Sequence, residues 1–371
     1  MKKFLIIVVL FLLAVIFVAC SSEEPAESQP EEEQNQPMTF EDTAGSEFTL
    51  SQPLEEVVVI NRNVAEALSV LGVDDRVAAT GDTTLENNAY LGYDDRPDVG
   101  RTSEVNLEKI ISLEPDAVIT YTNRPDDALE KALEPAGIPV IRLNHYLPEQ
   151  MDEEMRLLGT LFDAEERAEE FLEWKQNIED QLDQRVSDIP KEEKREVMAL
   201  SVGFLNSEGG YRIFPSETTE GDPGVGEGYA TIMAGGKDAA DVKWDDSEES
   251  TTVLVDEEYV LERNPEVLTL HGTWLGGYDT QSDKEFWEVY ENIIENTSVS
   301  RLKAFEQKDI FIYHTNFIGS DKRYIGVLQL AKDLYPDRFS DVEPEDYARE
   351  YFEDWLGIDY SGTWMFSPKD E

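Results

Sequence analysis

All three histidines of the chain, His145, His271 and His314, fall directly after short runs of aliphatic and aromatic residues that read as strands. Each has an aromatic neighbour, in Tyr146, Trp274 and Tyr313 respectively. A histidine at a strand exit can ligate a metal or hydrogen-bond a polar ligand through its neutral imidazole, and three of three at such exits are expected to share one cleft. A three-histidine metal centre would need loops from both halves of the chain to converge, so the histidines are read as ligand contacts and no metal is expected. Arginines carry a second signal. The chain holds 81 Asp and Glu against 31 Lys and Arg, so a guanidinium next to a predicted strand stands out. Arg62, beside Asn63, and Arg124 do so in the first half; Arg212 and Arg323 lie in the second. Forks of this kind bind carboxylates and oxyanions, and they gain strength inside a cleft. Tyr121, Phe204, Tyr211 and Trp274 could add flat apolar contact for a chelate or macrocycle.

Two sets of elements must hold these residues. Residues 57–60, 76–80, 117–120 and 139–143 are short, unalternating strand signals separated by helices at 64–71, 107–113 and 128–136. That grammar means a parallel sheet covered on both faces. It repeats at 196–202, 267–270 and 310–313, with helices at 229–234, 256–263, 324–334 and 344–356. Residues 40–50 suggest a hairpin turning at Gly45. Between the two sets, residues 163–190 place Ala168, Phe171, Leu172, Ile178, Leu182, Val186 and Ile189 at steps of mostly three or four among charged residues, the stripe of one amphipathic helix. Asp163 with Glu166 reads as a capping box, and Pro190 as the stop. The fold expected is α/β: two Rossmann-like lobes with parallel sheets, joined by one long α-helix, with strand exits facing each other across a ligand cleft.

The formal charge of −50 opposes nucleic acid as a partner. Its even spread suggests a solvated acidic surface of halophilic type. Met1, Lys2 and Lys3 precede an apolar run at 4–18, short for a spanning helix, which ends at Ala19-Cys20. Cys20 is the only cysteine, so no internal disulfide can form. Residues 21–37 are rich in Glu, Gln, Ser and Pro and read as a tether. The organisation expected is a signal peptide at 1–19, an acidic tether at 20–37, a first lobe at 38–150, a linking helical segment at 151–190 and a second lobe at 191–371.

The run Val105-Asn106-Leu107-Glu108-Lys109-Ile110-Ile111-Ser112-Leu113-Glu114-Pro115-Asp116-Ala117-Val118-Ile119 resembles the signature of class III solute-binding proteins of ABC importers. The segments 233–237 and 258–267 agree with it, and the Cys20 region resembles a bacterial lipoprotein signal. The resemblance implies two Rossmann-like lobes on a long helix and an anchor through lipidated Cys20 on the extracytoplasmic face of the cell membrane. It also implies a metal chelate as ligand, with iron–siderophore first, haem or cobalamin second and molybdate or tungstate third. The partner implied is a membrane permease docked through Glu108 on one lobe and Glu258, whose neighbour Glu257 could substitute, on the other. A monomer without cofactor is expected.

No G-x-S-x-G, H-E-x-x-H or P-loop sequence occurs, and Gly224-Val225-Gly226-Glu227-Gly228 follows a proline rather than a strand, so it reads as a mobile acidic loop. An enzyme of nitrogenase-like fold would need cysteine ligands and is set aside. A non-transport surface scaffold is the alternative from another class.

Overall fold

The computed structural model describes residues 37–50, 53–203, 210–224, 226–245 and 250–369. The signal peptide, Cys20, nearly all of the tether and Phe204 lie outside the described residues. Residues 37–371 form one compact unit. It opens with the expected hairpin, β1 (Met38–Glu41) against β2 (Glu47–Leu50), whose turn uses Gly45 at φ +82°. Asp42 holds that turn by accepting from the backbone N–H groups of Ala44 and Ser46.

The first sheet contains β3 (Val57–Val59), β4 (Val77–Thr80), β5 (Ala117–Thr120) and β6 (Val140–Arg142). Its order is β4-β3-β5-β6 and every pairing is parallel. Helix α1 (Arg62–Val70) starts one turn after β3, because the Asn61 side chain accepts from the N–H groups of Asn63 and Val64. Helix α2 (Leu107–Leu113) is capped by Asn106, which accepts from Lys109 N–H, and ends on Glu114 at φ 49°. Helix α3 (Met151–Leu161) then leads into α4 (Glu165–Val186), the long helix between the sheets. Asp163 does not cap α4. It sits at φ 57° in the turn that closes α3, where Ala164 N–H bonds back to Gly159 carbonyl, and Ala164 takes the cap position without a side-chain bond.

The second sheet is centred on β7 (Glu196–Ser201), β11 (Val267–Gly272) and β12 (Ile310–His314), which run parallel as expected. Short strands β8 (Tyr211–Ile213), β10 (Val253–Val255) and β13 (Met365–Phe366) add antiparallel edges, and β9 (Lys237–Asp238) lies parallel to β7. Two- and three-residue strands carry too little alternation to be read in sequence. Helices α5 (Gly226–Met233), α6 (Glu257–Arg263) and α7 (Arg323–Leu334) complete the elements used below. The glycine-rich stretch expected as a mobile loop instead starts α5. A side chain at Gly226 would collide with Gly319 backbone, and one at Gly228 with Phe214 and Pro215.

The stripe on α4 is buried as expected, from Ala168 through Phe171, Leu172, Ile178 and Leu182 to Val186. It does not separate two independent cores. One apolar cluster runs from Val57 and Val59 of the first sheet through Phe171 and Ile178 to Tyr324, Leu328 and Phe352. Arg167 on α4 ties both ends of this arrangement, donating to Val70 carbonyl at 2.7 Å and to Asp354 and Trp355 carbonyls at 3.0 and 3.1 Å.

A buried polar seam crosses the same boundary. Glu66 of α1 and Lys322 form an ion pair in which neither side chain has any exposure. Glu66 also accepts from Asn88 Nδ2 at 2.6 Å, Tyr90 hydroxyl at 2.7 Å and Tyr351 hydroxyl at 2.8 Å. Burial alone would raise the Glu66 pKa, but the Lys322 charge and these donors hold it below its usual 4.5. A carboxylate with a depressed folded pKa stabilises the fold above its unfolded value, and that stabilisation is lost as pH falls through the folded one. Lys322→Met leaves Glu66 charged and dry, and should cost about 3–5 kcal/mol at pH 7. The measurement is the urea midpoint, and the gap from wild type should narrow as pH falls, because Glu66 of the variant, buried without its cation, takes up a proton more readily than Glu66 of the wild type.

Candidate functional site

The strand exits of the first sheet open onto a cavity of about 640 Å³ lined by Arg62, Asp82, Thr83, Glu86, Asn87, Arg101, Thr102, Ser103, Tyr121, Asn123 and Arg124. A cavity of about 100 Å³ shares Glu86 and Asn87 with it and continues to Thr273, Gly277, Tyr278, His314 and Trp364 of the second lobe. The cleft therefore passes from one lobe to the other.

Three guanidinium groups converge on the larger cavity. Arg62 Nη1 reaches Asn88 Oδ1 at 3.4 Å and Asn316 Oδ1 at 2.5 Å, so the second lobe helps to aim it. Arg101 pairs with Asp82 at 3.2 Å. Arg124 lies over the Tyr121 ring, 4.5 Å from its centroid. The Tyr121 ring is backed edge-on by Tyr146, and its hydroxyl donates to Asn63 Oδ1 at 3.0 Å. The loop that carries Tyr121 and Arg124 is held from below. Arg142 uses all five N–H groups here: three on the loop carbonyls of Tyr121, Pro125 and Asp126 at 2.7, 2.9 and 3.2 Å, and two on the carboxylate oxygens of Glu130 in the helix that follows. Thr122 hydroxyl adds a bond to Asn144 Oδ1 at 2.7 Å. A site whose charged groups are fixed in this way is preorganised, which spares ordering on binding.

The other residues expected at the ligand divide differently. Asn63 belongs to the seam: its amide donates to Ser320 hydroxyl and to both Asp321 oxygens at 3.1 Å. His271 is not at an exit, because β11 runs two residues past the expected end. Its ring is buried, bonded to Thr269 hydroxyl at 2.8 Å and stacked on Tyr313, and burial pushes its pKa down to about 3. His145 is buried at φ 50°, with its N–H on the Glu154 carboxylate. Only His314 of the three faces the cleft, and burial with the Lys322 and Arg62 charges lowers it to about 4. The three histidines thus do not share the cleft. Tyr211 is a buried member of β8 opposite Val255, Arg212 is exposed beside Ser250 and Thr252, and Trp274 is 52% exposed at the end of β11. Arg323 lines a different cavity beside α4. Among the described residues no group of three or more His, Cys, Asp or Glu side chains could hold a metal, and no helix is long and apolar enough to cross a membrane.

Sequence reasoning missed Asp82, which follows the exit of β4, and Arg101, Glu86 and Asn87, which no strand exit marks. A usable signal was an arginine followed by Thr102-Ser103 just before the Asn106 cap, in a chain short of cations.

Two mixed lobes on one long helix, with a polar cleft fed by strand exits, are the architecture of a solute-binding receptor. The chain belongs to the periplasmic binding protein family, whose model matches residues 57–316, and it is the solute-binding component of an ABC importer. It is 23% identical over 312 residues to the ABC transporter substrate-binding lipoprotein YvrC of Bacillus subtilis, covering 82% of this chain and 88% of that protein. The molybdate-binding protein MolA of Haemophilus influenzae is also 23% identical, over 277 residues, 70% of this chain and 72% of that one. The structure of MolA with molybdate superposes with a TM-score of 0.69 at 17% identity, over 88% of this chain and all of that one. The TroA-like periplasmic binding protein FepB of Veillonella parvula superposes at 0.70 with 22% identity, over 89% and 99%. Members of this family are transport receptors, not enzymes.

One buried acid behind the cleft gives a pH signature. Glu227 on α5 faces Gly319 and Thr315, and burial raises its pKa to about 7. A raised folded value contributes stability below the unfolded 4.5 that is lost as pH rises through about 7. Glu227→Gln should therefore raise the melting temperature at pH 8, by an amount on the order of 3 kcal/mol in stability, and change little at pH 5. Melting curves at the two pH values check this.

Proposed function

We propose that this receptor captures an anionic metal chelate, a ferric complex of a carboxylate-bearing siderophore, and hands it to the permease. The observation that carries the reading is the convergence of Arg62, Arg101 and Arg124 on one cavity of about 640 Å³ in a chain with 31 cationic residues. The volume suits a chelate of several hundred daltons and exceeds what bare molybdate needs. Tyr121 offers a face for the organic part. Molybdate, bound by the relative MolA, is the second reading and is favoured by the same arginines.

Titration calorimetry with ferric citrate, haemin, cobalamin and molybdate at high salt tests this. Ferric citrate should bind, and Arg62→Ala and Arg124→Ala should each weaken it about 10- to 100-fold through lost charge-assisted bonds. Molybdate bound tighter than ferric citrate would favour the second reading. A neutral chelate held equally well by both variants would overturn the anion assignment.

Docking through Glu108 and Glu258 is proposed on a repeated motif. α2 and α6 are both seven residues long, each capped by a side chain that accepts from the third helical N–H, and each ends on a left-handed residue before a proline and a strand. Superposing the caps pairs Glu108 with Glu258 and leaves Glu257 opposite Leu107; both glutamates are exposed. Rigidly placed carboxylates of this kind suit arginine forks on a permease. Glu108→Arg with Glu258→Arg should abolish uptake into cells while leaving ligand affinity unchanged. Unimpaired uptake would sink the docking assignment. Membrane attachment through lipidated Cys20 on the extracytoplasmic face is part of the same proposal, supported by the lipoprotein relative.

A further inference from the structure

Two arginines in this fold are buried to the same degree and treated oppositely. Arg142, 6% exposed, has every N–H bonded to a carbonyl or carboxylate oxygen. Arg323, 4% exposed, donates to the thioether sulfurs of Met151 and Met233 and to Pro148 carbonyl, each at 3.3 Å. Thioethers are weak acceptors. The nearest carboxylate, Glu179, stands at 3.7 Å and is already bonded to Lys175 at 2.7 Å. A desolvated guanidinium with such partners is costly, and burial draws the Arg323 pKa below its ordinary value. It lines a cavity of about 640 Å³ formed by α4, α5 and the loop at Pro148 and Glu149. This is a separate space from the cleft, with no lining residue in common.

We propose that this cavity is a second ligand site, for a zwitterion with an apolar body such as a free aliphatic amino acid or a short apolar peptide. The carboxylate would take the fork of Arg323, which suits a planar two-oxygen acceptor. Leu182, Val186 and Ile232 supply the apolar surface. Among the charged lining groups, Glu149, Glu179, Asp180 and Asp183 outnumber Lys194 and Arg323, so a ligand bearing only negative charge is disfavoured and an ammonium is accommodated. A molecule bound here touches the loop after β6, the long helix and α5 together.

Calorimetric titration of the folded receptor at high salt, with L-leucine, trileucine, leucinamide and 4-methylpentanoate as probes, tests the assignment. Leucine or trileucine should give saturable one-to-one heat, and the tighter of the two identifies the source of the zwitterion. Leucinamide, lacking the carboxylate, and 4-methylpentanoate, lacking the ammonium, should each bind at least about tenfold more weakly. Arg323→Met should remove the leucine or trileucine signal, whereas Arg124→Ala in the cleft should keep it. Should Arg323→Met not fold, Ile232→Trp, which fills the cavity, must remove the signal in its place. Absence of saturable heat with either zwitterion, equal binding of leucinamide, or a signal lost in Arg124→Ala and kept in Arg323→Met would overturn the proposal. None of these outcomes depends on which chelate the cleft takes.

Discussion

The arrangement depends on one buried ion pair. Glu66 and Lys322 come from the first helix of one lobe and the start of a helix in the other, and meet without exposure. Desolvating two charges is tolerable only where geometry and extra hydrogen bonds offset it, and here Asn88, Tyr90 and Tyr351 all point at the same carboxylate. Such a cluster has one low-energy arrangement. A rotation of one lobe against the other would leave a bare carboxylate facing a bare ammonium in apolar surroundings. The pair therefore acts as a register pin, setting where the strand exits of the first sheet stand relative to those of the second.

The cleft inherits that register. Asn63 beside the pin binds Asp321, and burial together with the Glu66 charge pushes Asp321 up to about 6. Arg62, one residue earlier, reaches Asn316. Consecutive residues of α1 thus divide their work: Asn63 faces the seam, while Arg62 faces the cavity yet is aimed by the far lobe. Arg124 and Tyr121 are fixed separately, by the Arg142 clamp beneath their loop. Charged groups held this way bind without first being ordered, which agrees with a receptor whose lobes stay put rather than snap shut.

Much of this was legible in the residues. The unalternating runs at Val57 and Ala117 could only be buried parallel strands, and the α4 stripe announced a helix packed along one face. Tertiary pairing was not legible. Asn63 and Arg62 have the same strand-exit signature, and only the position of Asn316 and Asp321, more than two hundred residues away, decides which faces the ligand. His271 looked like an exit residue because the aliphatic run stops at Leu270, whereas β11 continues through it to Gly272 beside β12. Arg323 looked like any other loop arginine; the thioethers that surround it come from Met151 and Met233, which no local pattern connects. Asp163 had the chemistry of a cap, but the tight turn out of α3 needed a left-handed residue there first.

The central claim, that a buried seam presets the cleft, is tested most directly by the distance between the lobes in solution without ligand. Spin labels at Glu108→Cys and Glu258→Cys, both exposed sites, in a Cys20→Ser background, report it by pulsed electron resonance. The account predicts a single narrow distance distribution that a bound chelate leaves in place and that Lys322→Met broadens. A wide or two-peaked distribution in the unliganded receptor, unchanged by Lys322→Met, would contradict it.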